Sequence, residues 1–454
     1  MVFKLILISG LMFAGLSADD VKDGFIAYKK ADYATAVKLW KRAADSGDNV
    51  GIYNMGIVYQ DGLGEVKQDL KKAVLYYKKA IEKGNTDAIV NLALLYENGR
   101  GVPKDVKKAY ALYEKAAAKG NTVAMQNLAI GYRYGQGVEK NITKALVWYQ
   151  KAANKGHADA QNSLAHLYRH GIGVEKDMVK AVAWYKKASK MGSAVAKYNL
   201  GFLYEEGNGV IKDPVSALAY FTESAFLGYE KAQMLMAERS EQGDGMPKNM
   251  KDAAMWYKMA AKQGNVFALN QIGFYYITGQ GGLSKNKKEG FKWIEKAAVK
   301  DYALAQKNLG ILYRDGTGVA KNAAKSEKWF LRAANRDNLY AQAELGLLYI
   351  NQKKYKDAYY WLKKSANKND RSSQNNLGFL YHNGFGVKRD YKKAAKWYEK
   401  SANNGFSVAQ YNLAVMYYEG EGVKKDKKLS KKWMQKAARN QHTDAKKFLA
   451  KNKF

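Results

Sequence analysis

A pattern of the form A-x-x-N-L-A/G-x-x-Y-x-x-G-x-G-V, followed by K-A-x-x-W/Y-Y-x-K-A-A-x-x-G, returns about every 36 residues along this chain. A sequence that resembles itself at that period folds as a stack of units, each burying its neighbour's apolar face, and not around one central core. Two adjoining stretches show the register: NTDAIVNLALLYENGRGVPKDVKKAYALYEKAAAKG from Asn85 to Gly120 and NTVAMQNLAIGYRYGQGVEKNITKALVWYQKAANKG from Asn121 to Gly156. Units open near Asp48, Asn85, Asn121, His157, Ser193, Tyr229, Asn265, Tyr302, Asn338, Asp370 and Phe406. The stretches 19–47 and 338–369 lack the G-x-G-V insert and are shorter.

Within a unit the apolar spacing is helical. From Asn121 the first segment carries Ala124, Leu128, Ile130, Gly131 and Tyr132, and the second carries Ala145, Leu146, Trp148, Tyr149, Ala152 and Ala153, at intervals of three and four that share one helix face. Gly135 and Gly137 suit a turn that needs positive φ, Val138 offers an anchor for it, and Gly156 stands where a helix is capped. Alanines at Ala88, Ala124, Ala160, Ala196 and Ala232 keep crossing helices close. The row Trp148, Trp184, Trp256, Trp293, Trp329, Trp361, Trp397 and Trp433 is expected to fill the gaps between units.

These residues resemble the Sel-one-like repeat family, a branch of the tetratricopeptide superfamily whose intra-repeat loop is lengthened by the G-x-G-V element. The resemblance implies an all-α fold, a right-handed α/α superhelical solenoid of about twelve helix-pair repeats, that binds protein or peptide partners along a concave groove and has no catalytic role. The expected organisation is a signal peptide over 1–18, an N-terminal capping unit over 19–47, eleven repeats over 48–441 with 338–369 loopless, and a capping helix over 442–454. A secreted bacterial subgroup of the family carries paired cysteines, and some of its members have been described as binding or hydrolysing penicillins. This chain has no cysteine and departs from that subgroup there; the alternative that the resemblance leaves is a secreted protein that binds or hydrolyses β-lactams or acts on peptidoglycan.

The opening MVFKLILISGLMFAGLSA combines a basic start at Lys4, an apolar run and a small-residue end at Ala18, the anatomy of a cleaved leader too short to span a membrane. The expected location is periplasmic or secreted, with no transmembrane segment in the mature chain. The absence of cysteine excludes disulfides, thiolate metal sites and cysteine nucleophiles, and the inventory points to no cofactor. The net charge of +34 attracts polyanions unless it is a solubilising coat. The lysines recur on the second helix, as at Lys71, Lys72, Lys107, Lys108, Lys186, Lys187, Lys392 and Lys393. A solvated outer face is the reading of that placement, with electrostatic attachment to an anionic envelope polymer as the alternative and no nucleic-acid partner expected.

Four groups of residues carry candidate chemistry. Asparagine recurs seven residues into the unit at Asn54, Asn91, Asn127, Asn199, Asn308, Asn376 and Asn412. A carboxamide there can hold a peptide backbone from the groove, or bond to the adjoining repeat. His166 and His170 lie four apart on one helix; they suit ligand contact better than a metal, for which a third ligand is missing. Glu238, Arg239 and Ser240 replace residues that are elsewhere apolar, apolar and usually tyrosine. Buried charge must be paired, so the unit from Tyr229 reads either as a degraded hinge or, through Glu238 and Glu241, as a polar binding centre. Ser284 with Lys287, and Ser365 with Lys368, match the S-x-x-K of serine β-lactamases, whose partner motifs S-D-N and K-T-G are absent.

Overall fold

The structure, a computed structural model, describes residues 16–451 and consists there of 25 helices with no strand. Most of the expected leader lies outside the described residues, as do the last three positions of the expected C-terminal helix. Within the described chain the outermost helices are Leu16–Lys29 and Thr443–Lys451. Every helix from Tyr33–Asp45 through Lys427–Arg439 is 13 residues long.

Side-chain caps mark the start of most of these helices, although those after Tyr302, Lys354 and Phe406 keep the same length without one. At the first helix of a unit, Thr86–Asn98, the Asn85 side chain accepts from the Ala88 N–H at 2.9 Å and the helix stops at Gly99. At the second, Val106–Ala118, the Asp105 carboxylate accepts from the Lys108 N–H at 2.9 Å. Each cap satisfies an orphan donor of the first turn. The second helix closes with paired bonds, Gly120 N–H to the Ala117 carbonyl at 2.9 Å and Asn121 N–H to that of Ala116 at 3.1 Å, around Gly120 at φ +91°. That is the glycine-dependent C-terminal motif. Where the repeat lacks its closing glycine, Asp301, Asp337, Asn369 and Gln441 take positive φ in its place.

The chain divides into two units, 1–229 and 230–454, and in each every helix packs on the helices before and after it. The crossing-point alanines Ala88, Ala124, Ala160 and Ala196 are fully buried in the first unit, as are Ala232, Ala268 and Ala305 in the second. The tryptophan row is core only in part. Trp256, Trp329, Trp361 and Trp433 are buried, but Trp148, Trp184, Trp293 and Trp397 are half-exposed. The large side chain that fills each junction is the following residue: Tyr149 and Tyr185 in the first unit, Ile294, Phe330, Leu362 and Tyr398 in the second. One step along a helix turns a side chain by about 100°, enough to move the tryptophan to the rim.

Sequence reading also missed a buried glutamine clamp. At the fourth residue of the first helix, Gln161, Gln306, Gln342, Gln374 and Gln410 each donate to the carbonyl eight residues earlier, at 3.1 to 3.3 Å. Glutamine at that fourth position, after alanine in every case but Gln374, is its signature; it locks the turn between one unit's second helix and the next unit's first.

Candidate functional site

The asparagine row lies between adjacent first helices. Asn199 Nδ2 donates to Asn162 Oδ1 at 3.2 Å, Asn308 to Asn270 at 2.8 Å, and Asn412 to Asn375 at 3.0 Å. In each case the sixth residue of one first helix bonds the fifth residue of the first helix before it. Asn91 does the same with the hydroxyl of Tyr53 at 3.1 Å and reaches Tyr77 at 3.3 Å, and Gln126 meets Ser163 in the reverse sense. Asn127 bonds the Tyr113 hydroxyl, Asn376 accepts from Asn375 at 3.3 Å, and Asn54 is buried. The ladder is a set of junction contacts, half-buried and directed along the stack.

The unit after Tyr229 keeps a full-length first helix, Glu230–Gln242. Glu238 is exposed, while Arg239 and Ser240 are buried. Glu241 is an internal brace: it accepts from the hydroxyls of Tyr257 at 2.8 Å and Tyr275 at 2.7 Å and from Gln271 at 3.2 Å. Burial first, then Glu241, pushes both phenols well above their usual range. Gln60 and Glu97 hold the same twelfth position and accept from Tyr77 and Tyr113 at 2.9 and 2.8 Å, so the acid at 241 repeats a structural device of other units.

His166 and His170 are brought together, with ring centroids 4.4 Å apart. Burial, then His170, Arg133 and Arg169, push His166 down to about 4, and its Nδ1 is buried without a hydrogen bond. Among the described residues no group of three or more histidines, cysteines, aspartates or glutamates could hold a metal. The S-x-x-K serines separate. Ser284 is exposed in a loop, whereas Ser365 is fully buried and donates to the Leu339 carbonyl at 3.3 Å, as Ser224 does to Ala194 and Ser401 to Arg371. Its partner Lys368 pairs with Asp337 at 3.6 Å.

The lysines of the second helices sit over aromatic rings. Lys151, Lys187, Lys296, Lys400 and Lys436 lie 4.1 to 4.9 Å from the rings of the tryptophans three residues before them. A second row, Lys72, Lys108, Lys144, Lys180, Lys325 and Lys393, covers the tyrosines of the first helices at 4.4 to 5.5 Å. Their aliphatic stems shield ring faces while the charge stays in water.

The surface that the sequence did not announce is apolar. In the second unit Phe267, Tyr340 and Val408 occupy the second position of the first helix and Phe274 and Leu347 the ninth, and all five are exposed, Phe274 by 46% and Leu347 by 45%. Seven residues are two helical turns, so the two positions share one face. In the first unit the matching ninth residues Leu94, Ile130 and Phe202 are more covered, and Ile57 is buried. Phenylalanine and tyrosine at a seven-residue spacing were the available signal; their exposure depends on packing.

Stacked pairs of equal helices, joined through side chains that repeat with the units, define an α/α repeat solenoid of the tetratricopeptide class. The chain belongs to the Sel1 repeat family: the family model, Sel1 repeat, matches residues 23–48, 50–85, 86–121, 122–157, 158–193, 194–229, 230–265, 266–300, 303–338, 339–370, 371–406 and 407–442. The first of these matches lies in the stretch expected to cap the stack. Among solved structures the chain is similar to c5321 of uropathogenic Escherichia coli, described as a protective antigen displaying an SLR fold. The two share 33% identity over 90% of this chain and 88% of that one, with a TM-score of 0.65. It is also similar to a Sel1 repeat protein from Oxalobacter formigenes, with 31% identity over 56% of this chain and 99% of that one and a TM-score of 0.47. Comparison with curated proteins gives no match. No helix among the described residues is long and apolar enough to cross a membrane.

Proposed function

We propose that this chain is an exported, non-catalytic scaffold that holds a protein or peptide partner against the first-helix face of its second unit. The observation that carries the reading is the exposed row Phe267, Phe274, Tyr340, Leu347 and Val408. Aromatic and aliphatic groups left in water on one face of a stack are the anchors an interface desolvates. The leader-like residues 1–18 support export to the periplasm or beyond. The asparagine ladder supports the surface indirectly, by fixing the spacing of the helices that present it.

The test is capture from envelope extract by the chain from Asp19 onward, at low and high salt, with bound species identified by mass spectrometry. A discrete protein retained at high salt by the native chain, and lost from the Phe267→Ser, Phe274→Ser, Leu347→Ser variant, is the expected result. Retention of anionic polymers alone, released by salt, would move the function to the lysine rows of the second helices.

A further inference from the structure

Seven residues, Gly99–Asp105, join the helices of an ordinary unit, but three, Gln352–Lys354, join Leu339–Asn351 to Tyr355–Asn367. The longer loop has a defined seat, the start of the second helix of the unit before. A Cβ on Gly101 would stand 2.6 Å from that of Leu70, on Gly281 2.9 Å from the Met250 carbonyl, and on Gly386 2.6 Å from the Tyr355 carbonyl. These are closer than any side chain tolerates, and each glycine is at positive φ, from +66° to +73°. The residue after the glycine then tucks inward, as Val102 and Val387 pack on the core.

Because the unit from Asn338 has no such loop, the start of the preceding second helix, Ala323–Asn335, is left without its cover. A cavity of about 350 Å³ lies there, walled by Ala323, Ser326 and Phe330 on one side and Leu348 on the other, with the Arg314–Glu344 ion pair at 2.5 Å along its edge. We infer that this gap is a binding pocket for an extended segment of another protein, carrying glycine at the point of closest approach and a branched aliphatic residue directly after it. The segment supplies in trans what the other units supply in cis. The loops around Gly101, Gly281, Gly386 and Gly422 are already seated on their own neighbours, and Gly245, which has no such close contact, is followed by the unbranched-chain residue Met246, which leaves a different protein to provide it. The net charge of +34 favours acidic residues flanking the segment. Leu347 borders both the pocket and the apolar first-helix face, whereas Ala323, at the start of a second helix, borders the pocket alone.

The experiment titrates the chain from Asp19 onward into a fluorescein-labelled peptide of residues 97–104, ENGRGVPK, and follows anisotropy. The expected result is saturable binding that weakens by about tenfold or more for the peptide carrying Gly101→Leu. Replacing Gln352–Lys354 with the loop sequence GTGVAKN of 316–322 fills the pocket internally; it abolishes peptide binding and raises the melting temperature. If that graft does not fold, Ala323→Trp decides the matter, since Ala323 is exposed at a helix start and the ring blocks the seat without entering the core. Absence of saturable binding to the native chain, or equal binding by folded Ala323→Trp protein, would overturn the inference.

Discussion

Asn308 Nδ2 lies 2.8 Å from Asn270 Oδ1, 38 residues earlier, so the sixth residue of one first helix holds the fifth residue of the helix before it. Asn270 is only 5% exposed, and truncating Asn308 to alanine leaves its carbonyl without this partner. Loss of about 1–3 kcal/mol is expected, with a smaller further loss in the Asn308→Ala, Asn270→Ala double variant. A double-mutant cycle by urea denaturation reads the coupling; additive losses would mean the bond is not a junction contact.

The division between rim tryptophan and buried neighbour has its own consequence. Tyr149 is 1% exposed and Trp148 is half-exposed under Lys151. Tyr149→Ala should cost about 3–5 kcal/mol locally and Trp148→Ala clearly less, although tryptophan is the larger side chain. Amide exchange over the helices Ile142–Asn154 and Ala158–His170 measures both, and the opposite order would refute the packing described.

Gln441 holds φ +62° where other units place glycine. The left-handed conformation costs a side-chain-bearing residue roughly 1–2 kcal/mol, part of it offset by the greater unfolded-state freedom of glycine. Gln441→Gly should therefore stabilise the C-terminal helix pair, seen as slower amide exchange over Lys427–Arg439.

His166 gives a signed pH dependence. Burial, His170, Arg133 and Arg169 hold its folded pKa at about 4, below the ordinary value of about 6.5. Between those two values the unfolded chain binds the proton and the folded chain does not. The neutral imidazole therefore favours folding above about pH 6.5, and that contribution is lost as the pH falls toward 4. His166→Leu, matching Leu94 in another unit, should flatten the fall in melting temperature from pH 7 to pH 4. An NMR titration of His166 with a midpoint near 6.5 would contradict the assignment.

The fold was legible because its evidence repeats: the G-x-G-V loops, the capping residues and the crossing-point alanines recur in register, and helix-pair stacking follows from their spacing. What lay beyond reach was direction around the helix axis. The asparagine row was visible as a row, yet whether it faced the groove or the next repeat depended on the rotation of helices that only packing fixes. Glu241 stood out as a broken pattern, but its tyrosine partners come from two other helices. The exposure of Phe274 and Leu347 followed from neither hydropathy nor spacing, because the same position is buried at Ile57.

The central claim is that a partner rests on the first-helix face of the second unit. Its most direct test is a photo-crosslinking side chain at Phe274, with a matched one at the exposed second-helix residue Lys328, irradiated in envelope extract at high salt. A discrete protein crosslinked from Phe274 and absent from Lys328 is the predicted result. Crosslinks of equal yield from both positions, or from Lys328 alone, would contradict it.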